Sequence, residues 1–456
     1  MTRFSEDGIL SAVPESLHVV LQERWLTALA VVAMAVEALP VWNVTLDSGR
    51  PPMTPDAAVF QHAGWFLTTG ARMYADVWDV KPPLTYELTG LLALATGGDV
   101  YALHLASVAV MIFAACGVVV LVARLTYDLT DDAYASALSG LSVFLLAGFH
   151  VRPAYGFKAR YFLLFAGLLA VYLYLRGAHV LSGVAAAASV GFWQAGVIFP
   201  LVVLGLAAQK RDGRAAARIV LGGVAFTALM LAPVFAWGSM SEMIVQVVIV
   251  PLALPEETGV LPRAVAGVAH FKYASPLVVL GAYGLLRGAT RRFGRTEWWP
   301  LAFAAYFGFV VLFLDFETGG YTDLIPGLAF VAIGVGVFAS TLRSRRRRNA
   351  MTVAVLAVLV VNVVALGSLG LVFSPVSTPG PASMTELRTN ERAIESPYVP
   401  DDRPGIRYVY WNRVRPDSCH YRLSLMELQW LSKSAPYRDA PDECIGARDG
   451  LKVLTA

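Results

Sequence analysis

Carboxylates and a lysine cluster in one polar segment near the start of the chain. Asp56 follows a proline, and Asp76, Asp79 and Lys81 lie further along the same segment, before a pair of prolines. A carboxylate can accept a proton from a hydroxyl group, and an ammonium group can stabilise a phosphate. The segment therefore predicts a site that combines a general base with an anion-binding cation.

The same residues also have ordinary structural explanations. Asp56 would cap the N-terminus of a short helix that begins at the preceding proline. Asp76 and Asp79 would belong to a solvated turn, and the long side chain of Lys81 would extend to lipid headgroups. The sequence leaves both interpretations open.

Further basic residues support the interpretation as an anion site. Lys81, Arg152, Lys158 and Arg160 lie at or near the outer ends of predicted membrane spans, where Lys and Arg are normally scarce. Arg160 begins a span, and an unpaired charge within the hydrocarbon costs about 2.5–3.5 kcal/mol. Cations at this depth beside carboxylates indicate a site for an anionic headgroup such as a lipid phosphate.

These residues must be positioned by membrane helices. The chain has 456 residues, of which 57% are hydrophobic and 15% charged, whereas a soluble domain carries about 25% charged residues. Apolar stretches of nearly twenty residues predict helices that cross a bilayer. We predict an all-α polytopic membrane protein with about eleven transmembrane helices, the number that the apolar stretches allow. The predicted spans are 25–45, 101–123, 133–149, 159–175, 179–193, 195–208, 216–237, 274–288, 299–315, 322–342 and 351–373.

The basic loops predict the orientation and the domains. Residues 210–218, 287–295 and 343–348 are rich in Lys and Arg and fall on one side, which marks the cytoplasm. We therefore expect a cytoplasmic N-terminus, a transmembrane domain over 1–373 and an extracellular α+β domain over 374–456. That outer domain contains Cys419 and Cys444, which could form one disulfide in an oxidising compartment.

The predicted outer loops differ in length. The first, 46–100, contains two segments, 56–70 and 84–96, that we predict as short amphipathic helices in the membrane interface. A later loop contains an apolar stretch over 243–254 that is too short to span, which favours a re-entrant or interfacial helix.

The pattern Pro55-Asp56, followed by Tyr74-x-Asp76-x-Trp78-Asp79-x-Lys81-Pro82-Pro83, resembles the first outer loop of GT-C class membrane glycosyltransferases. That class includes protein O-mannosyltransferases and lipid A aminoarabinose transferases, and it uses polyprenyl-phosphate-linked sugars. The resemblance covers roughly residues 25–340. It implies that Asp56 is the catalytic base and that Lys81 helps to hold the donor phosphate.

Two features depart from the GT-C pattern. Many relatives carry two adjacent acidic residues where this chain has Asp56 and Ala57, and Asp79 is the candidate for the second acid. Many also have a basic or aromatic pair before a proline at the start of a late span. Here the corresponding segment, 315–326, is acidic, with Tyr321 as its candidate substrate contact.

The stretch from Tyr410 to Ser424 resembles the tail of haloarchaeal dolichyl-phosphate-mannose mannosyltransferases, which act in N-glycosylation of surface-layer glycoproteins. This resemblance implies an inverting transferase that moves a sugar, mannose above all, from a dolichyl-phosphate donor to an acceptor glycan or glycoprotein at the outer membrane face. Lys81, with Arg152, Lys158 or Arg160, would stabilise the phosphate, and Asp76 would contact substrate. We expect no cofactor and no nucleic-acid partner, although Asp76 and Asp79 could bind a divalent metal.

Two other classes of protein compete with the transferase. A polytopic transporter or lipid-linked sugar flippase would place ionisable residues near the bilayer midplane. In this chain the unusual charges crowd the outer ends. Glu37 is the exception, since it lies inside the first span, where we expect it to face the helix bundle. A non-catalytic scaffold would leave the outer cations unexplained.

Overall fold

The computed structural model describes residues 24–44, 51, 53–146, 148–253, 259–292, 297–314, 321–363, 406–411 and 413. Within these ranges the ordered elements are helices, and the only β pairing is an isolated bridge between Met73 and Val77. The prediction of a helical membrane part is therefore confirmed. The predicted C-terminal α+β domain lies mostly outside the described residues.

Nine helices form the first part of the described chain. They are α1 (Trp25–Val44), α2 (Pro55–Thr68), α3 (Leu84–Ala95), α4 (Val100–Thr130), α5 (Ala133–Leu141), α6 (Gly148–Val151), α7 (Ala159–Leu175), α8 (His179–Phe192) and α9 (Ile198–Gln209). Three 3-10 turns, Ser142–Leu145, Arg152–Tyr155 and Gln194–Val197, lie between α5 and α9.

The helices of the second part are more often interrupted. They are α10 (Gly213–Trp237), α11 (Met240–Ile244), α12 (Val250–Ala253), α13 (Val260–Phe271), α14 (Ser275–Arg287), α15 (Trp299–Phe309), α16 (Ile325–Ser340), α17 (Arg345–Val360) and α18 (Ile406–Trp411). Two 3-10 turns, Lys272–Ala274 and Tyr321–Leu324, precede α14 and α16, and π-helical turns occupy Val245–Ile249, Gly288–Arg292 and Val310–Leu314.

Five of the described helical segments are long and apolar enough to cross a bilayer: Trp25–Trp42, Val100–Thr130, Gly213–Trp237, Val260–Thr290 and Thr322–Ser340. A sixth span results if Ala133–Leu145 and Gly148–Tyr155, which meet at 75°, form one broken crossing. Four other predicted spans coincide with shorter apolar helices, Ala159–Leu175, His179–Phe192, Gln194–Gln209 and Trp299–Leu314. A 17-residue helix is only about 25 Å long. The chain is thus a multi-pass helical protein, and the figure of eleven spans stays a prediction.

Polar side chains set the starts of several helices. Asp99 precedes α4 and accepts a hydrogen bond from the backbone N–H of Ala102 at 2.8 Å. Asp212 caps α10 in the same way through Ala215 at 2.9 Å. These caps satisfy backbone donors that a helix leaves free at its first turn, so the sequence fixes where the apolar helices begin.

Small residues allow the central helices to approach closely. A Cβ on Gly222 of α10 would lie 2.0 Å from the carbonyl oxygen of Val180 in α8, so only glycine fits there.

Glu37 of α1 is completely buried. Its side chain therefore faces the bundle, as predicted.

The two helices of the first outer loop exist close to their predicted bounds. In α2, however, every side chain from Ala57 to Trp65 is buried, so this helix does not lie in the interface as an amphipathic helix would. It packs against α3, which buries Tyr86 and Thr89 but exposes Leu91 and Leu94. The burial of α2 places its first turn, with Asp56, at the edge of the protein interior.

Candidate functional site

Asp56 lies in the first turn of α2 and pairs with Lys158. The Lys158 ammonium donates a hydrogen bond to the Asp56 carboxylate, and the two side chains are 11% and 37% exposed. The cap of α2 is Thr54, whose hydroxyl accepts from the Ala57 N–H at 3.3 Å. Asp56 is therefore released from capping, and its partly open carboxylate can meet a substrate from outside.

Arg152 holds the segment that carries Lys158. Its guanidinium is buried and donates to the Thr54 hydroxyl at 2.6 Å and to the Gly156 carbonyl at 3.0 Å. Arg152 therefore ties the start of α2 to the 152–158 segment. These donors are directed at protein acceptors, and the part of Arg152 in binding the phosphate stays a prediction.

Arg160, at the start of α7, forms a buried ion pair with Asp323 and donates to the Thr322 hydroxyl at 3.2 Å. Its guanidinium carbon lies 4.4 Å from the ring centroid of Trp193, within the range of a cation–π contact. The charge at this depth is thus compensated by the acidic segment before α16. The sequence predicted neither Asp323 nor Trp193 as part of the site.

Lys81 approaches the same aromatic ring. Its ammonium lies 6.0 Å from the Trp193 centroid, so the ring contacts both Lys81 and Arg160. Trp193 sits at the break between α8 and the following 3-10 turn. An aromatic residue at a break in an apolar stretch is the signal that could have identified it.

Asp79 and Asp76 stand apart in their contacts. Asp79 is 2% exposed, and its carboxylate accepts the backbone N–H of Lys81 at 3.2 Å, which shapes the turn before the prolines. Asp76 pairs with the exposed Arg72 at 3.0 Å. Burial acts to raise the pKa of Asp76, but hydrogen bonds from Arg72 and its charge outweigh burial and lower it.

Two glutamines anchor the 72–83 segment. The Gln194 amide donates to the carbonyls of Val80 and Val247 at 2.5 and 2.9 Å. Gln246, in the π-helical turn, donates to the Tyr74 carbonyl at 2.9 Å and accepts the Asp79 N–H at 3.2 Å. Neither glutamine was predicted, and both lie where apolar helices are interrupted.

The environment of Lys158 changes its acidity. Burial lowers the pKa of the Lys158 ammonium to about 8, and the Asp56 charge opposes this effect. Arg160 and Arg152 add to the lowering, and Asp323 counters it. These electrostatic interactions place all four groups around Lys158, so the structure brings together three of the predicted cations and the predicted base.

Three residues that the sequence predicted as functional lie wholly or partly outside the described residues. The backbone of Tyr321 lies in the 3-10 turn that contains Asp323, and its side chain lies outside the described residues, as do Cys419 and Cys444. Within the described part of the chain, no group of three or more His, Cys, Asp and Glu side chains could hold a metal ion.

Similarity to known proteins identifies the family of the chain. Residues 70–232 match a family described as DolP-mannose mannosyltransferase. The chain is 32% identical over 426 residues to the dolichol phosphate-mannose mannosyltransferase of Haloferax volcanii, covering 88% of this chain and 93% of that relative. The family match over residues 70–232 includes the 72–83 segment, Lys158, Arg160 and Trp193.

Solved structures share the fold. ArnT from Cupriavidus metallidurans bound to undecaprenyl phosphate aligns with a TM-score of 0.54 and 14% identity, over 96% of this chain and 76% of that one. The Archaeoglobus fulgidus oligosaccharyltransferase tethered with an acceptor peptide aligns with a TM-score of 0.57 and 12% identity, over 88% and 60%. The fold is therefore GT-C-like, and with its close sequence relative the chain belongs to the dolichol phosphate-mannose mannosyltransferase family of membrane glycosyltransferases.

Proposed function

We propose that this glycosyltransferase moves mannose from dolichyl phosphate mannose to a hydroxyl group of an acceptor glycan, with inversion, at the outer face of the membrane. The observation that carries the proposal is the Asp56–Lys158 pair beside Arg160 and Lys81. It combines a partly exposed carboxylate with cations that face one aromatic ring. The name of the Haloferax volcanii relative supports mannose and dolichol as parts of the donor.

In the proposed reaction, the acceptor hydroxyl attacks the anomeric carbon from the side opposite the phosphate. The new glycosidic C–O bond forms as the C–O bond to phosphate breaks, and the phosphate leaves with the electron pair. Asp56 accepts the hydroxyl proton as general base, a role worth about 10²–10⁴ in rate. Lys158 orients this carboxylate through its hydrogen bond.

The cations have distinct tasks. Lys81 contacts the donor phosphate and stabilises the negative charge that develops on it. Arg160, held by Asp323 beside Trp193, adds positive charge near the same phosphate. Arg152 supports the 152–158 segment from within. Asp79, which fixes the backbone of Lys81, is the second candidate for the base, and Asp76 and Tyr321 remain proposed substrate contacts.

A transfer assay tests the reaction. Membranes that contain the protein are incubated with labelled dolichyl phosphate mannose or dolichyl phosphate glucose and with an acceptor oligosaccharide. We expect mannose transfer from the first donor and a product anomer opposite to that of the donor, determined by linkage-specific mannosidases. Transfer with retained configuration, or from the glucose donor alone, would contradict the proposal.

We further propose that the acceptor is the N-linked glycan of a surface glycoprotein, and that the N-terminus is cytoplasmic and the C-terminal region extracellular. Glycopeptides from a strain without the enzyme should lack one terminal mannose.

The topology is tested by labelling. A cysteine introduced at Ser434 should react with an impermeant reagent on intact cells, and labelling only after permeabilisation would reverse the topology.

The extracellular assignment leads us to propose a disulfide between Cys419 and Cys444. Mass spectrometry of peptides prepared without reduction should show the two cysteines linked. Recovery of both as free thiols would refute the pairing.

A further inference from the structure

The short C-terminal helix α18 packs against α2, whose first turn carries Asp56. Tyr410 is fully buried in an apolar cluster that includes Ala57 and Ala58, the two residues after Asp56. Trp411 packs against His104 of α4, with ring centroids 5.8 Å apart. The chain therefore returns, after its last described membrane helix, to the helix that carries the proposed base.

Tyr410 also makes buried polar contacts. Its hydroxyl lies 3.0 Å from Oε1 of Gln61 in α2 and contacts the Val100 carbonyl. Nδ1 of His104 lies 3.2 Å from the same Gln61 oxygen, within hydrogen-bond distance. Gln61 and His104 are completely buried. The Tyr410 hydroxyl shares its single proton between the Gln61 oxygen and the Val100 carbonyl, and with His104 it brackets the side chain of Gln61.

Gln61 in turn supports the segment that carries Lys158. A Cβ on Gly156 would lie 2.5 Å from Nε2 of Gln61 and 3.0 Å from Cε1 of His104. Gly156 has a φ of +93°, which other residues rarely adopt. The backbone at Gly156, which lies two residues before Lys158, therefore rests directly on Gln61 and His104. A shift of Gln61 would move this support.

We infer that Tyr410 is a positioning residue of the transfer site: it fixes Gln61 and His104, which hold the 152–158 segment so that Lys158 meets Asp56. This inference rests on the proposed function. It makes the C-terminal segment a structural part of the active enzyme, although the sequence presents that segment as a separate outer region.

Tyr410→Phe tests the inference, because it keeps the ring and removes the hydroxyl. We expect kcat for mannose transfer to fall about two- to tenfold, the range produced by losing one hydrogen bond. Because the Lys158 ammonium loses its charge as pH rises, we expect activity of the unaltered enzyme to fall at alkaline pH. In Tyr410→Phe this fall should move to higher pH, because a loosened segment admits water to Lys158. The charged groups facing Lys158, which are Asp56, Arg152, Arg160 and Asp323, are unchanged in this variant.

Arg413→Ala is the matched control from the same segment. Arg413 pairs with Asp99 at 3.1 Å, and both side chains are about half exposed, so its loss should leave kcat and the pH profile unchanged. Tyr410→Ala also removes the ring and should lose more activity. If that variant does not accumulate in membranes, Tyr410→Phe decides alone.

A wild-type kcat in Tyr410→Phe would overturn the inference. A loss of activity that matches a loss of folded protein, with an unchanged pH profile, would also overturn it, because that result reflects structure alone. Absence of mannose transfer by the unaltered enzyme would overturn the proposed function and this inference together, so the two failures are distinguishable.

Discussion

Arg160 and Asp323 form a buried ion pair that joins the start of α7 to the turn before α16. Removing one partner of a buried pair leaves an uncompensated charge and costs about 3–5 kcal/mol. We expect Arg160→Ala to lower both the melting temperature in detergent and the amount of protein in membranes. The double variant Arg160→Ala/Asp323→Asn should recover stability but not donor affinity. Equal stability of the single and double variants would show that the uncompensated Asp323 charge carries no cost.

Asp56→Asn tests the proposed base. The cap of α2 is Thr54, so this substitution leaves the helix start intact, and the Asn oxygen can still accept from Lys158. We expect normal abundance and donor binding but a loss of about 10²-fold or more in kcat.

Asp79→Asn is the matched control, because its amide oxygen can still accept the Lys81 N–H. We expect it to retain most activity. Loss confined to Asp79→Asn would transfer the role of base to Asp79, and full activity of both variants would exclude a carboxylate base at either position.

Lys158 gives the reaction a specific pH dependence. Its pKa is lowered to about 8, so the ammonium is charged below that pH and loses its charge as pH rises through it. The hydrogen bond that orients Asp56 then weakens, because a neutral amine is a weaker donor than an ammonium group. We expect kcat/KM for the donor to fall above about pH 8, and Lys158→Arg to remove this fall because Arg stays charged. A fall at the same pH in Lys158→Arg would assign it to another group.

Lys81→Ala should weaken donor binding. A hydrogen bond to a charged group contributes about 1.5–3 kcal/mol, so the donor KM should rise at least tenfold. Arg72→Ala is the matched control in the same segment, because Arg72 pairs with Asp76 on the surface. A donor titration of both variants separates a specific phosphate contact from a general loss of positive charge. Equal effects of the two substitutions would argue against a specific contact.

The sequence predicts residue types better than their partners. Lys158 and Arg160 were identified because cations are unusual at outer membrane ends, and Asp56 because it follows a proline in the segment that resembles the first outer loop of GT-C enzymes. The pairing of Arg160 with Asp323 could not be predicted, because it depends on how α7 packs beside the turn before α16. Periodicity carries no information about such contacts between distant segments.

The sequence also did not predict the burial of α2. The segment that forms α2 resembles an interfacial helix when taken alone, yet α3, α4 and α18 surround it. One of the two interpretations of Asp56 was a helix cap, since it follows proline, whereas the structure uses Thr54 before it. Trp193, Gln194 and Gln246 were missed because single polar or aromatic residues at helix breaks have no distinctive spacing.

The π-helical turn Val245–Ile249 connects the proposed donor site to the outer surface of the protein. Gln246 holds the segment that carries Lys81, while Val248 and, just beyond, Leu252 are 48% and 78% exposed on the apolar outside of the protein. We expect lateral pressure in the bilayer to act on these exposed side chains and to reach the proposed donor site through this short element. Turnover should therefore vary with the acyl-chain length of the host bilayer, and Gln246→Leu should weaken that variation. Identical transfer rates of the unaltered enzyme in thin and thick liposomes would show that bilayer thickness does not affect the site.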